Sequence, residues 1–363
     1  MVTNLPAKAK AIWAKAMMAK DPEEKLELLK QFYSSFPKHK ATERLEVQIK
    51  RQIKKLEEEI ENKKKKHGKV LNIWNVKKEG DIQVTVLGTF NDVLEFFEKI
   101  IGLKIDQFEV YTRPQIGTLK IDSILLQVLL CPFDESIGEG KQKKFSNLLY
   151  NADLFLIILP NTNYVTYFNK LISWLEQNNI ILNVKRKEVK IERTSEGGIR
   201  VVGKSMFITE EEIKNFLREY NIFNCIVKVS IETTLEDLEA VIFGQISKPA
   251  ILLCNNIEQE EEIKKYYAEV YNLNRFFKEK NLLKKILEIL GIIRVYTRRK
   301  DGIVAERPLL IEKGKTVIDI AKIIHNEMAK NFQYAKLNRN GEELKVGKYF
   351  ILEDGDIVEI RSR

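Results

Sequence analysis

Four short apolar runs, at residues 82–87, 121–130, 154–159 and 250–254, constrain this chain more than any other feature. Each falls far below the roughly 20 residues needed to cross a bilayer and has the length of a strand buried on both faces. Between them lie helical patterns at 91–101, 166–177 and 234–243. Strands that alternate with helices predict βαβ units and a mainly parallel sheet, so the fold class is α/β. One stretch departs from the rule. Residues 183–202 are basic and short-period around Gly197-Gly198, which predicts a β-hairpin inserted into the α/β unit, followed by a helix over 210–220 capped at Thr209.

The two ends read differently. Residues 1–66 are helical in pattern. Asp21-Pro22-Glu23-Glu24 offers an N-cap, a proline at the first helical position and a glutamate three residues after the cap. Leu26, Leu29, Phe32, Tyr33 and Phe36 follow at helical spacing, and Pro37 breaks the helix. A second helix starts near Thr42 with Ile49, Ile53, Leu56 and Ile60 on a narrow stripe, the pattern of a two-helix hairpin or short coiled coil. At the other end, strand patterns at 292–298 and 307–311 flank a capping box, Thr316 to Asp319, that leads into a helix through Ala329; a strand, turn and strand over 350–360 follow. That is a small β-grasp-like α+β unit. The expected divisions are therefore 1–69, 70–291 with an insert at about 183–235, and 292–363.

Charge follows the same divisions. The chain carries 61 Lys+Arg against 52 Asp+Glu, a net of +9. Residues 1–69 hold 18 bases and 10 acids, residues 70–291 hold 28 and 31, and residues 292–363 hold 15 and 11. Basic ends around a slightly acidic middle favour a polyanion touched by the ends. Three scattered cysteines, Cys131, Cys225 and Cys254, and three isolated histidines give no disulfide framework and no metal-ligand spacing. The lysine-punctuated start has no apolar core of a secretory signal. A cytoplasmic protein with no metal or other cofactor is expected.

The segments carrying a family resemblance run in order along nearly the whole chain. Leu290-Gly291-Ile292-Ile293-Arg294-Val295-Tyr296-Thr297, Thr316-Val317-Ile318-Asp319, Phe332-Gln333-Tyr334-Ala335 and Leu352-Glu353-Asp354-Gly355-Asp356 resemble the TGS domain of the developmentally regulated GTP-binding (DRG) proteins, a branch of the Obg-type GTPases. Asn4-Leu5-Pro6-Ala7-Lys8 and Pro37-Lys38-His39-Lys40-Ala41-Thr42-Glu43 are similar to the helical start of the archaeal members, and Asn151-Ala152-Asp153-Leu154 extends the likeness through the middle. The resemblance implies a P-loop-GTPase-like sheet, an inserted α+β element at the 183–202 stretch and a C-terminal TGS domain.

The family's nucleotide motifs can be tested position by position. A phosphate loop, G-x-x-x-x-G-K-[ST], needs its second glycine for backbone approach, its lysine for the β/γ oxygens and its hydroxyl for Mg²⁺. Here only Gly88 matches; Val93, Leu94 and Glu95 stand at the other three positions, and Asp92 adds a repelling charge. The metal-binding motif should follow the second run, where Leu130-Cys131-Pro132-Phe133 stands instead. Glu139-Gly140-Lys141 is similar to the family's next loop. The base-recognition N-K-x-D has its loosest counterpart in Asn255-Asn256-Ile257-Glu258.

Phosphoryl transfer rests on positioning and on Lys and Mg²⁺ electrostatics. With those elements changed together, the motifs predict a pseudo-GTPase: a non-enzymatic, ribosome- or RNA-associated translation factor, inhibitory or hibernation-type among its possible roles. Gly88, Asn255 and Glu258 are the expected remnants of a nucleotide site. Lys63, Lys64, Lys65 and Lys66, then Lys185, Arg186 and Lys187, then Arg298, Arg299 and Lys300, are the expected RNA contacts, positioning on phosphate without base specificity. Two alternatives stay open. One is a residual guanine-nucleotide-binding protein or GTPase. The other is a protein-interaction scaffold that docks on the stripe Ile49, Ile53, Leu56 and Ile60.

Overall fold

The computed structural model describes residues 5–19, 21–38, 42–65, 73–134, 137–183, 189–231, 233–264, 267, 269–278, 282–299 and 301–362. Three helices come first: α1 (Ala7–Met18), α2 (Pro22–Ser35) and α3 (Glu43–Lys65). Then follow β1 (Ile82–Gly88), α4 (Phe90–Phe96) continued by a π-turn over Phe97–Ile101, α5 (Gln107–Thr112), β2 (Ile116–Ile121), β3 (Ile124–Pro132), α6 (Glu139–Ser146) and β4 (Leu154–Ile158). The next stretch holds α7 (Tyr164–Gln177), β5 (Ile180–Asn183), β6 (Lys190–Arg193), β7 (Ile199–Val202), α8 (Glu210–Glu219), β8 (Cys225–Lys228) and α9 (Leu235–Ile242). The last holds β9 (Ile246–Cys254), α10 (Ile257–Lys264), β10 (Val270–Asn272), α11 (Leu273–Lys278), α12 (Leu282–Leu290), β11 (Ile292–Thr297), β12 (Leu309–Glu312), α13 (Val317–Ile324), α14 (Asn326–Lys330), β13 (Phe332–Arg339), β14 (Glu342–Val346) and β15 (Asp356–Ser362).

Contacts group these elements into two units, one of residues 1–72 with 163–248, the other of 73–162 with 249–363. In the first unit the helical start and the inserted element share one core. Trp13, Phe32, Leu45 and Ile49 are buried with Ile213, Leu217, Tyr220, Leu238 and Phe243. Trp13 lies 5.1 Å from Phe32 and 5.0 Å from Phe243 between ring centroids. Gln48 donates to the Phe243 carbonyl at 2.7 Å. The stripe on α3 therefore packs beyond its own hairpin: Ile49 is in this core, with Ile53 and Leu56 against it. That core covers Ile49, Ile53 and Leu56 of the face the scaffold alternative needed.

The inserted element also corrects the expected hairpin. β6 and β7 form, with Gly197 and Gly198 at positive φ in the turn between them, yet they do not pair with each other. The order is β6-β8-β7, β8 being antiparallel to β6 and parallel to β7. Cys225 and Val227 of β8 are fully buried, so the apolar middle strand comes from a later stretch of chain. Capping follows the sequence closely. Asp21 accepts from Glu24 N–H, and Thr209 with Glu212 forms a reciprocal capping box.

In the second unit the path through the large sheet is β10-β9-β4-β1-β3-β2. β10, β9, β4, β1 and β3 run parallel. The run 121–130, expected as one strand, is split: Ile121 and Ile124 face each other across a tight turn, with Asp122 at φ 46° and Ser123 at φ 66°, which makes β2–β3 an antiparallel pair. Short polar residues tolerate that left-handed backbone. β1 is buried along its whole length, as a strand covered on both faces must be. The C-terminal sheet has the order β12-β11-β15-β13-β14 with α13 across it. The helix expected through Ala329 breaks at His325, whose extended backbone (φ −163°, ψ 132°) separates α13 from α14.

Candidate functional site

Parallel strands deliver their C-terminal ends to one edge, where open α/β sheets bind ligands. The register fixes which residues arrive there. Gly88 pairs with Pro132, Leu87 with Ile157, Ile158 with Leu253 and Cys254 with Asn272. The turns after β1, β3, β4, β9 and β10 therefore leave the same edge. Gly88 and Asn255 stand on it with β4 between their strands.

The turn after β1 is short and tied to itself. Only Thr89 separates the strand from α4. Its hydroxyl donates to Asp92 Oδ2 at 2.6 Å and accepts from Asp92 N–H at 3.3 Å. Burial holds the Asp92 carboxyl above the usual range despite that hydrogen bond. A Cβ on Gly88 would sit 3.2 Å from Val93 Cγ1 and 3.3 Å from Ile158 Cβ, so glycine here permits close helix–sheet packing. Phe90 stacks on Tyr111 at 5.3 Å and 14°, and Lys141 Nζ from α6 lies 3.8 Å from the Tyr111 centroid. Burial, then the Asp134 charge, raises the Tyr111 phenol, which stays neutral.

The turn after β9 is more open. The Asn255 carbonyl accepts from Asn272 Nδ2 at 3.2 Å, which joins the ends of β9 and β10. Asn256 Oδ1 accepts from Gln259 N–H at 2.8 Å and starts α10. The buried Gln259 amide donates to the carbonyls of Pro160 and Asn161 at 2.9 and 3.0 Å, tying α10 to the turn after β4. Glu258 is exposed on the first turn of α10 and Asn255 is half-buried. The structure thus brings Asn255 and Glu258 onto one loop. Cys131 and Cys254 end their strands inside the fold. Burial pushes the Cys254 thiol up to about 12 and the Cys131 thiol up further, so neither is a nucleophile at neutral pH. Among the described residues no group of His, Cys, Asp and Glu could hold a metal ion.

The cations singled out for RNA fall in different settings. Lys63, Lys64 and Lys65 close α3, while Lys66, Lys185, Arg186, Lys187 and Lys300 lie outside the described residues. Arg298 is engaged within its own sheet, its guanidinium donating to Glu343 at 2.7 Å and Glu359 at 3.1 Å. Arg299 is exposed. The C-terminal sheet also interleaves aromatics with lysines: Lys345 lies 4.2 Å over Tyr334 and Lys348 4.8 Å from Tyr349. Charge counting along the sequence does not register the first of these pairs, because Tyr334 meets Lys345 only across β13 and β14, whereas Lys348 and Tyr349 are neighbours in the chain.

Comparison with known proteins bears directly on this edge. The TGS domain family matches residues 293–362. An uncharacterised GTP-binding protein of Methanocaldococcus jannaschii is 27% identical over 93% of this chain and 92% of its own. A developmentally regulated GTP-binding protein 2 homologue of Dictyostelium discoideum is 26% identical over 93% and 98%. Among solved structures, the YchF GTPase of Schizosaccharomyces pombe overlays 78% of this chain and 99% of its own at a TM-score of 0.42 and 12% identity.

These relatives overturn the expectation of a non-enzymatic, nucleotide-free translation factor. Proteins that align along nine-tenths of the chain are named GTP-binding proteins. That expectation rested on side-chain identities at a few motif positions. Nucleotide sites draw much of their hold from backbone N–H groups and loop geometry, which such identities do not record. Among the described residues no helix is long and apolar enough to cross a membrane.

Proposed function

We propose, for a chain that belongs to the DRG/Obg-type family of GTP-binding proteins with a C-terminal TGS domain, that it is a GTPase-like protein binding a guanine nucleotide at the C-terminal edge of its parallel sheet. The observation that carries this reading is the likeness to GTP-binding relatives over 93% of the chain. The base-side residues are Asn255 and Glu258, with Asn272 and Gln259 holding their loop. On the phosphate side Gly88 marks the turn, and Lys141 is the cation the fold sets over the Phe90–Tyr111 stack. Calorimetry tests the reading with GTP, GDP and ATP, and phosphate release tests turnover. Saturable heat with GTP and GDP, absent with ATP and weakened by Asn255→Ala, is expected. Absence of heat with both guanine nucleotides would overturn it.

Structured RNA, including ribosomal RNA, is the proposed partner of the TGS domain and the basic N-terminal helices. Lysines beside tyrosine rings combine phosphate attraction with a surface for base stacking, and exposed Tyr349 with Lys348, and half-buried Tyr334 with Lys345, supply that combination. Arg299 and the lysines that close α3 add charge. Co-sedimentation with ribosomal subunits at two salt concentrations tests it. Loss of pelleting at the higher salt is expected, since phosphate contacts weaken steeply with salt. Protein found only in the free fraction at both would overturn it. A cytoplasmic location belongs to the same proposal.

A further inference from the structure

On the flank of β10, residues of β10, α10, α11 and α12 line a hollow of about 430 Å³ that adjoins the Asn255 loop through Asn272. That is within the range of small-molecule sites. Its floor is aromatic: Tyr271 and Phe276 lie 5.0 Å apart at 32°. Its walls carry Lys264, Arg275, Lys284 and Lys285 against two carboxylates, Glu260 and Glu288. The four cations come from three different helices, so they converge on the hollow and do not simply line one solvated face.

The ion pairs around the cavity leave room for an incoming anion. Lys264 pairs with Glu260 along α10. Lys285 is shared among the Tyr271 hydroxyl, Glu269 at 3.6 Å and Glu288 at 3.4 Å. Glu269 takes its shorter bond, 2.7 Å, from the Tyr271 hydroxyl. Burial and that hydrogen bond to Glu269 push the Tyr271 phenol up to about 12, so it stays a neutral donor. Lys284 and Arg275 are exposed at the rim. A multiply charged anion would meet ammonium and guanidinium groups from three helices above an aromatic floor, a setting that favours charge-assisted hydrogen bonds.

We propose that this cavity binds a small phosphate-bearing anion, at a site separate from the guanine nucleotide. The size of the hollow favours a free phosphate ester or diphosphate. Asn272 gives the site a second consequence. It lines the cavity and its amide donates to the Asn255 carbonyl, so an anion seated here would bear on the loop assigned to the guanine base.

Inorganic pyrophosphate is the probe, titrated into the full chain by calorimetry with saturating GDP present and absent. Binding that survives GDP, falls about tenfold in Lys284→Glu and falls further with Arg275→Gln added is the expected result. Both side chains are exposed, and circular dichroism confirms that the variants fold. Arg299→Glu makes the same charge change in the TGS domain and should alter affinity less than twofold. Three results would each overturn the proposal: no pyrophosphate heat, heat abolished by GDP, or equal losses in Lys284→Glu and Arg299→Glu. Failure of the guanine reading is distinguishable, because it removes the GTP and GDP heats and leaves the pyrophosphate heat in place.

Discussion

The two halves of the sheet edge are built on opposite plans. After β1 the chain turns in one residue, Thr89 and Asp92 satisfy each other, and Val93 closes on Gly88. After β9 the chain turns through polar, partly exposed residues, and each anchor there, Asn272 and Gln259, is a side-chain amide reaching a backbone carbonyl. The first half is held by packing and the second by hydrogen bonds. Substitutions should therefore damage them through different terms: overpacking at one, unsatisfied carbonyls and lost recognition at the other.

Gly88→Val should do the most harm. The added atoms meet Val93 and Ile158 within 3.3 Å of where a Cβ would lie, and relief requires α4 to move from the sheet. A loss of about 1–3 kcal/mol is expected in urea unfolding; a variant as stable as wild type would show that the β1 half is loosely packed after all. Gln259→Ala comes next. It removes the donor to Pro160 and Asn161 in a site where the side chain is 3% exposed, and about 1–3 kcal/mol is expected by the same measurement.

Asn255→Ala should leave folding nearly unchanged, because the anchor to Asn272 uses its backbone carbonyl. Its effect should be on GDP affinity, a loss of roughly tenfold by calorimetry, equivalent to about 1.4 kcal/mol. The smallest effect separates the halves by pH. The folded Asp92 carboxyl is raised above its unfolded value, so the stability it contributes is present below the unfolded value and is lost as pH rises through the folded one. Asp92→Asn should therefore melt close to wild type in acid and above it at neutral pH. A gap that does not change with pH would remove burial as the reason for the shift.

The legible parts of this fold were those with a local cause. The apolar runs became β1, β3, β4 and β9; Asp21, Thr209, Thr234 and Thr316 all cap the helices their spacing announced. What was not legible was pairing. Nothing local says that Cys225–Lys228 slides between two strands that look like a hairpin, or that Asp122-Ser123 folds an apolar run back on itself. β14 has no apolar alternation to read, since Glu342, Glu343, Leu344 and Lys345 are all exposed and only Val346 is buried, and β13 pairs with it. At the sheet edge, Gly88 and Asn255 come together through strand register, which side-chain identities at isolated motif positions do not encode. The cavity beside β10 has no sequence signature, since α10, α11 and α12 each bring only part of its wall.

The core shared by Trp13, Phe32 and Phe243 has a consequence for how the chain is made. The first helices leave the ribosome with an apolar face whose covering residues are encoded some two hundred codons later. At about 5–20 residues per second, Trp13 waits roughly 10–50 s for Phe243 to be synthesised. Through that interval the earliest part of the protein is its least finished, and a truncation that stops short of α9 leaves the N-terminal helices as exposed as they were at birth.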